Sequence, residues 1–156
     1  MGVEQSGNVT PGHVAKFIGN GVIADGGAPV SAQRVLGKLT NANFDDTNDQ
    51  PIIIAATVFQ LTGLIITNTS ISLQTAVGGF YPEAFKAGSP IVAAAQVYSS
   101  LTDPDLLLQA TLTAFAQTAR FSSANLPDGR IYLSLTTGEP LPTTADVYAI
   151  GIDLSV

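Results

Sequence analysis

The sequence IYLSLT at residues 131–136 decides the fold class, because apolar and polar residues alternate in it at every second position. Ile131, Leu133 and Leu135 share one face of an extended chain, since successive side chains of a β-strand point to opposite faces. The sequence VYAIGIDL at residues 147–154 alternates in the same way. This period of two predicts β-strands rather than helices.

Other segments extend the same interpretation along the chain. The uninterrupted apolar runs at residues 52–54 and 64–66 are typical of central strands, and apolar residues between 106 and 112 again fall on one face. Turn-forming sequences separate the segments: Gly78-Gly79, Asp103-Pro104-Asp105 and Pro127-Asp128-Gly129. Short strands with frequent turns predict an all-β fold, a jelly-roll-like antiparallel β-sandwich.

Residues 91–101, IVAAAQVYSSL, depart from the strand pattern. The segment is rich in alanine, and Val97 and Leu101 stand four residues apart, which is a helical spacing. Pro90 precedes it, and proline is favoured in the first turn of a helix. We therefore expect a short helix here, or a turn-like insertion that packs over the end of a sheet.

A change of composition near residue 40 divides the chain. Residues 1–40 are rich in glycine and hold three of the six basic residues, whereas residues 41–50, NANFDDTNDQ, hold three aspartates. From Pro51 onward the sequence becomes apolar. These changes predict an extended N-terminal arm at residues 1–40, a linker at residues 41–50 and a β-sandwich domain at residues 51–156.

Composition excludes several classes of function. Six basic residues against twelve acidic residues give a net charge of −6, so contacts with nucleic acid or anionic membranes are not expected. The chain has no cysteine, which excludes disulfides, thiolate-bound metals and thiol nucleophiles. The first ten residues lack the pattern of a signal peptide, so we expect no cleaved leader. No uninterrupted apolar segment reaches the roughly 18 residues that a membrane-spanning helix needs.

Candidate catalytic groups are sparse. His13 is the only histidine, and a general base needs an orienting partner and a nucleophile, which its neighbours do not supply. Glu83 and Glu139 are too far apart in sequence to form a local pair of carboxylates, although two distant acids can meet in space. We predict no catalytic, cofactor-binding or metal-binding residues, and therefore no enzyme.

Two local features have alternative interpretations. Asp45, Asp46 and Asp49 offer the oxygen ligands that calcium prefers, but a solvated turn explains them as well and is the favoured interpretation. The aromatic pair Phe80-Tyr81 is suited either to stacking against a sugar or to packing on a sheet, and packing is favoured.

The N-terminal arm carries the most distinctive motif. Residues 7–17 read GNVTPGHVAKF and residues 20–27 read NGVIADGG, and this pattern resembles the N-terminal segment of tailed-bacteriophage virion proteins of the short fibre or decoration type. The later stretches NANF at 41–44, GGFY at 78–81 and YLSLT at 132–136 resemble small structural domains of the same kind.

The resemblance implies a structural protein at the virion surface, a short fibre or capsid-decoration subunit that docks on the particle through its arm. It implies other virion proteins, of capsid or tail, as partners and a homotrimer as the assembly. The alternative is a tail-fibre module that binds a host-surface glycan as receptor. In either case no cofactor is expected.

The residues of the arm suit an anchor. Its glycines allow the backbone to follow a partner surface closely, because glycine adopts positive φ without steric cost. The buried area of the anchor would come from its apolar residues, which are Val9, Val14, Phe17, Ile18, Val22 and Ile23.

Overall fold

The computed structural model describes Ala15–Phe17, Ile23–Asp25 and residues 33–155, and the chain forms two compact units, Met1–Ala32 and Gln33–Val156. In the first unit, β1 (Ala15–Phe17) pairs antiparallel with β2 (Ile23–Asp25). In the second unit the elements are, in chain order, β3 (Gln33–Asn43), β4 (Gln50–Ile53), β5 (Phe59–Thr67), β6 (Val77–Tyr81), β7 (Leu107–Gln109), α1 (Ala114–Thr118), β8 (Arg120–Phe121), β9 (Arg130–Thr137) and β10 (Thr144–Asp153).

The second unit is a jelly-roll sandwich of two antiparallel sheets. The larger sheet has the order β3-β10-β5-β7, with β8 also paired to β5, and the smaller sheet has the order β4-β9-β6. Single bridges join Val92 and Val97 to β6, where a fourth strand of the smaller sheet would lie. The chain crosses between the sheets from β3 through β6 and again from β8 through β10, while residues 92–97 stay beside β6 and both β7 and β8 pair with β5. This connectivity is that of a jelly roll. The predicted all-β, jelly-roll-like class is confirmed.

The core lies between the two sheets and follows from the alternation in the sequence. Leu61, Leu64 and Ile66 of β5 and residues 131, 133 and 135 of β9 belong to one buried cluster, and each is at most 1% exposed. Removing a side chain of this size from water stabilises the fold by about 1.5–3 kcal/mol. The interface between the sheets therefore holds the sandwich together.

The boundary of the globular unit differs from the sequence-based prediction. Residues 33–40, assigned to the arm, form most of β3, which pairs with β10 from Gln33 opposite Ile152 to Asn43 opposite Thr144. Residues 41–50, assigned to a linker, end β3 and begin β4, and Phe44 is fully buried. The prediction was wrong here because β3 is a polar edge strand, whose exposed residues resemble those of a linker.

Residues 91–101 are not helical. They run in turns beside β6, and Ile91, Val92, Tyr98 and Leu101 are fully buried. The one helix of the described residues, α1, follows at Ala114–Thr118, where the side chain of Thr113 caps the N-terminus by accepting the N–H of Ala116.

Two further details of the strands differ from the predictions. The run at residues 52–54 was expected in a central strand, yet β4 is an edge strand and the side chain of Ile53 is 67% exposed. The predicted strand between residues 106 and 112 is regular only over Leu107–Gln109. Within the described residues, no helix has both the length and the hydropathy that crossing a membrane requires.

The glycines predicted as a turn lie within β6 instead. A Cβ atom on Gly79 would stand 2.4 Å from the carbonyl oxygen of Val92, and one on Gly78 would stand 2.5 Å from the Cα atom of Leu135. Contacts between a Cβ atom and backbone at these distances are not tolerated, so only glycine lets the neighbouring segments pack this closely.

Candidate functional site

The outer face of the smaller sheet forms the wall of an open cleft of about 650 Å³. Because Ile131, Leu133 and Leu135 of β9 point into the core, Tyr132 and Ser134 point to the opposite face. They line the cleft together with Pro51 of β4, residues 47–49 before that strand and residues 84–86 after β6.

The most exposed of the large apolar side chains in the described residues stands at this cleft. Phe85 is 94% exposed, and both Phe85 and Lys86 have left-handed backbone, with φ of 60° and 59°. A left-handed conformation costs a residue with a Cβ atom about 1–2 kcal/mol. Moving a phenyl ring from water to an apolar surface is favourable by about 1.5–3 kcal/mol. The fold therefore accepts strain in this loop and leaves the ring in water.

Two contacts hold the loop in this conformation. The backbone N–H of Phe85 donates to Oδ2 of Asp49, and Nζ of Lys86 donates to the carbonyl oxygen of Leu135 at 3.2 Å. Both partners belong to the sheet or to the turn before it, so the loop is fixed at each side of the ring. The position of Phe85 is thus a defined feature of the structure.

The tyrosines on this face remain neutral at ordinary pH. Burial raises the pKa of Tyr132, and its hydroxyl donates to Oδ2 of Asp128 at 3.1 Å, which raises the pKa further. Burial also raises the pKa of Tyr81, which lies opposite Tyr132 in the sheet, and the charge of Asp49 adds to this effect. The polar groups around the cleft are therefore neutral hydroxyls, carboxylates and the ammonium of Lys86.

Ser134 contributes a hydroxyl without a partner. The residue is 1% exposed, and its Oγ atom has no hydrogen-bond partner among the described residues. A buried hydroxyl without a partner is costly, so each such group in a native structure calls for an explanation. It sits beside Tyr132 in the wall of the cleft.

The three aspartates predicted as a turn or a cation site point to different partners. Oδ1 of Asp45 accepts the N–H of Thr143 at 3.4 Å, and the carboxylate of Asp46 accepts the backbone N–H and the side-chain amide of Asn48. The backbone N–H of Asn48 is the main reason that the pKa of Asp46 is lowered. Asp49 holds Phe85. Among the described residues, no group of three or more acidic or histidine side chains could hold a metal ion.

The aromatic pair predicted from the sequence packs inside the protein. Phe80 is fully buried in the core and Tyr81 is 6% exposed, so the packing interpretation is confirmed. The exposed aromatic residue is Phe85, which the sequence analysis missed. Its signal in the sequence is an aromatic residue within YPEAFKAG, a segment bounded by proline and glycine at which the strand pattern stops.

Most of the proposed anchor lies outside the described residues. This holds for Val9, Val14, Ile18 and Val22, and also for His13. Phe17 and Ile23 stand opposite each other in the pair formed by β1 and β2. No family model, curated protein or solved structure matches this chain.

Proposed function

We propose that this chain is a structural protein of a tailed-phage virion, a short fibre or capsid-decoration subunit that lies at the particle surface. In this proposal the N-terminal unit docks on another virion protein, of the capsid or the tail, and the jelly roll is displayed. The proposal assigns no catalysis and no cofactor to the chain.

The division of the chain at Ala32 and Gln33 carries the proposal. The jelly roll is a complete sandwich from its first strand onward, and β3 fills the edge position beside β10. Residues 1–32 are thus not needed to build either sheet, which leaves them available for a partner. An anchor followed by an independent β domain is the organisation that a displayed subunit needs.

The outer face of the larger sheet supports the assembly part of the proposal. Val35 stands opposite Ile150, and Tyr148 stands opposite Ile65, so apolar side chains from three strands form a stripe on this face. Val35 is 51% exposed, and Nζ of Lys38 lies 4.8 Å from the centre of the Tyr148 ring. The apolar stripe suits contact between identical subunits, because charges are depleted at interface cores, and the nearby charge of Lys38 is paired with Asp146. We assign it to the contact between the copies of a homotrimer.

Removal of residues 2–32 tests the anchor. We expect the truncated protein to fold, because both sheets remain, and to be absent from purified particles. Incorporation at the level of the full chain would overturn the anchor assignment. Circular dichroism of the truncated protein separates loss of docking from loss of folding.

A charge placed in the stripe tests the trimer. Val35→Asp is expected to convert the protein to monomers in light scattering, because burial of an unpaired charge at an interface is unfavourable. Thr40→Asp, an exposed position further along β3, is the matched control and should leave the assembly unchanged. A stable monomer of the unaltered chain at micromolar concentration would contradict the proposed trimer.

A further inference from the structure

We propose that the cleft beside Phe85 binds a pyranose sugar, with the ring of Phe85 stacked on the apolar face of the sugar. The inference extends the proposed virion role, because it gives the displayed domain a ligand. It does not depend on that role, since the cleft belongs entirely to the jelly roll.

The position of Phe85 is the first argument. The ring is 94% exposed and stands at a cleft, while its backbone is held in a left-handed conformation by the carboxylate of Asp49. Strained backbone that persists because its surroundings fix it is concentrated at binding sites. Because the backbone is fixed, the ring already stands at the cleft before a ligand arrives, which lowers the conformational entropy lost on binding.

The polar groups decide which ligand fits that surface. Carboxylates only accept hydrogen bonds, whereas the hydroxyl of Ser134 both donates and accepts them. A pyranose has an apolar C–H face, and its edge carries hydroxyls that also donate and accept. Such a ligand can stack on Phe85 and donate to Asp49 at once. The Oγ atom of Ser134 is buried, so its side chain must turn toward the cleft for a sugar hydroxyl to become the partner that it lacks among the described residues.

The chemistry of the cleft disfavours two other ligands. A nucleotide would bring phosphate close to Asp49 in a chain of net charge −6, and the ammonium of Lys86, which also lines the cleft, already donates to the carbonyl oxygen of Leu135. An apolar peptide side chain would cover Phe85 but would leave the hydroxyl of Ser134 without a partner. Neutral sugars avoid both costs, and the cleft of about 650 Å³ has room for more than one ring.

Saturation-transfer NMR on the full chain tests the proposal. The probes are methyl α-D-glucopyranoside, methyl β-D-galactopyranoside and N-acetyl-D-glucosamine, each at millimolar concentration, with saturation of the aromatic protons of the protein. We expect transfer to the ring C–H protons of at least one sugar. No transfer to any of the three would overturn the proposal.

Variants connect the signal to the cleft. Phe85→Ala should weaken binding by about tenfold, whereas Phe85→Tyr, which keeps the aromatic face, should retain it. Ser134→Ala should weaken binding by about two- to tenfold through loss of one hydrogen bond. The matched control is Phe115→Leu at the partly exposed aromatic residue of α1, and it should leave the signal unchanged.

Two results would contradict the assignment. One is an unchanged signal in Phe85→Ala, provided that circular dichroism shows the variant to be folded. The other is transfer to N-acetyl-L-leucinamide, a mimic of an apolar peptide side chain, that depends on Phe85 while no sugar binds. In that case the cleft is a peptide site. Incorporation into particles is measured separately. A negative result for sugar binding therefore does not decide the virion proposal, which is tested by deletion of residues 2–32.

Discussion

The side chain of Asp146 on β10 accepts a hydrogen bond from the backbone N–H of Asn41 on β3, with 3.0 Å between N and Oδ1. Asn41 has a left-handed φ of 52° and lies where the register of the two strands shifts, which marks a β-bulge. Nζ of Lys38 lies 3.1 Å from the other carboxylate oxygen. One buried carboxylate therefore fixes the irregular part of the edge strand.

Asp146→Asn should make the protein less stable at neutral pH, and this loss of stability should be much smaller in acid. Burial acts to raise the pKa of Asp146, but the N–H of Asn41 and the ammonium of Lys38 outweigh it and hold the pKa below 3.8. The folded state thus prefers the ionised form, so this stability is present above about pH 4 and is lost as the pH falls through the lowered pKa.

We expect Asp146→Asn to lower the free energy of unfolding by about 1.5–3 kcal/mol at neutral pH, the range for hydrogen bonds to charged groups. Urea unfolding at neutral pH and at about pH 2 measures the change. Asp105→Asn, on an exposed turn, is the control. An equal loss at both pH values would contradict the role of the charge.

Gly79→Ala should destabilise the jelly roll strongly. The new Cβ atom would meet the backbone of Val92 and Ala93 at 2.4–2.9 Å, and backbone atoms in a packed sandwich cannot move aside cheaply. Overpacking of this kind costs about 1–3 kcal/mol. Thermal unfolding followed by circular dichroism measures the loss.

Gly63→Ala is the matched control in β5. There the nearest atoms belong to the end of the Gln109 side chain, at 3.1 Å and beyond, and a flexible side chain can turn away. The effect should be clearly smaller than at Gly79. Equal losses at both positions would show that the close packing of residues 92 and 93 on β6 is not the cause.

Tyr98→Phe should make the protein less sensitive to alkali. Tyr98 is fully buried, packs edge-on against Phe44 with ring centres 5.2 Å apart, and donates its hydroxyl to the carbonyl oxygen of Gly78 at 3.1 Å. Burial raises the pKa of Tyr98 far above its ordinary value of 10.0. The stability linked to this neutral phenol is present below about pH 10 and is lost as the pH rises toward the folded pKa.

At neutral pH the same substitution should cost about 1–3 kcal/mol, because the carbonyl oxygen of Gly78 loses a buried partner. The difference from the unaltered protein should shrink or reverse above about pH 11, where phenols of the unfolded chain ionise. Urea unfolding across this range measures it. A constant difference at every pH would contradict the assignment.

Two truncations locate the start of the globular unit. Deletion of residues 2–32 should leave the stability of the jelly roll largely unchanged, whereas deletion of residues 2–40 removes most of β3 and takes Leu36 out of the core. Loss of one such core side chain costs about 2–5 kcal/mol even without loss of the strand. Thermal unfolding of both truncations distinguishes this boundary from the one predicted from composition.

The sequence was informative where one face of a strand meets the core and the other does not. The alternation at residues 131–136 predicts both the strand and the direction of its buried side chains, because that periodicity is local. Residues 91–101 have no local periodicity that predicts their structure. Their placement depends on Gly79, whose missing side chain admits them to the sheet, and a helical spacing gives no sign of that contact.

The cleft could not be predicted from the sequence, because it too depends on contacts between distant residues. The exposure of Phe85 depends on two consecutive left-handed residues and on a hydrogen bond to Asp49, which is 36 residues away in sequence. Neither is visible from residue types alone, since aromatic residues are usually buried. The nearby pair Phe80-Tyr81 was the natural candidate from the sequence, and its place in the smaller sheet buries it.

The pairing of Gln33 with Ile152 also determines how the protein withstands mechanical force. A load applied between Gln33 and Leu141 pulls β3 and β10 past each other lengthwise, so all hydrogen bonds between them resist together. A load between Gln33 and Ser155 acts at one end of the same ladder and opens its bonds in sequence. The chain has no cysteine, so Cys substitutions at these positions provide unique handles, and single-molecule pulling should give a higher rupture force in the first direction.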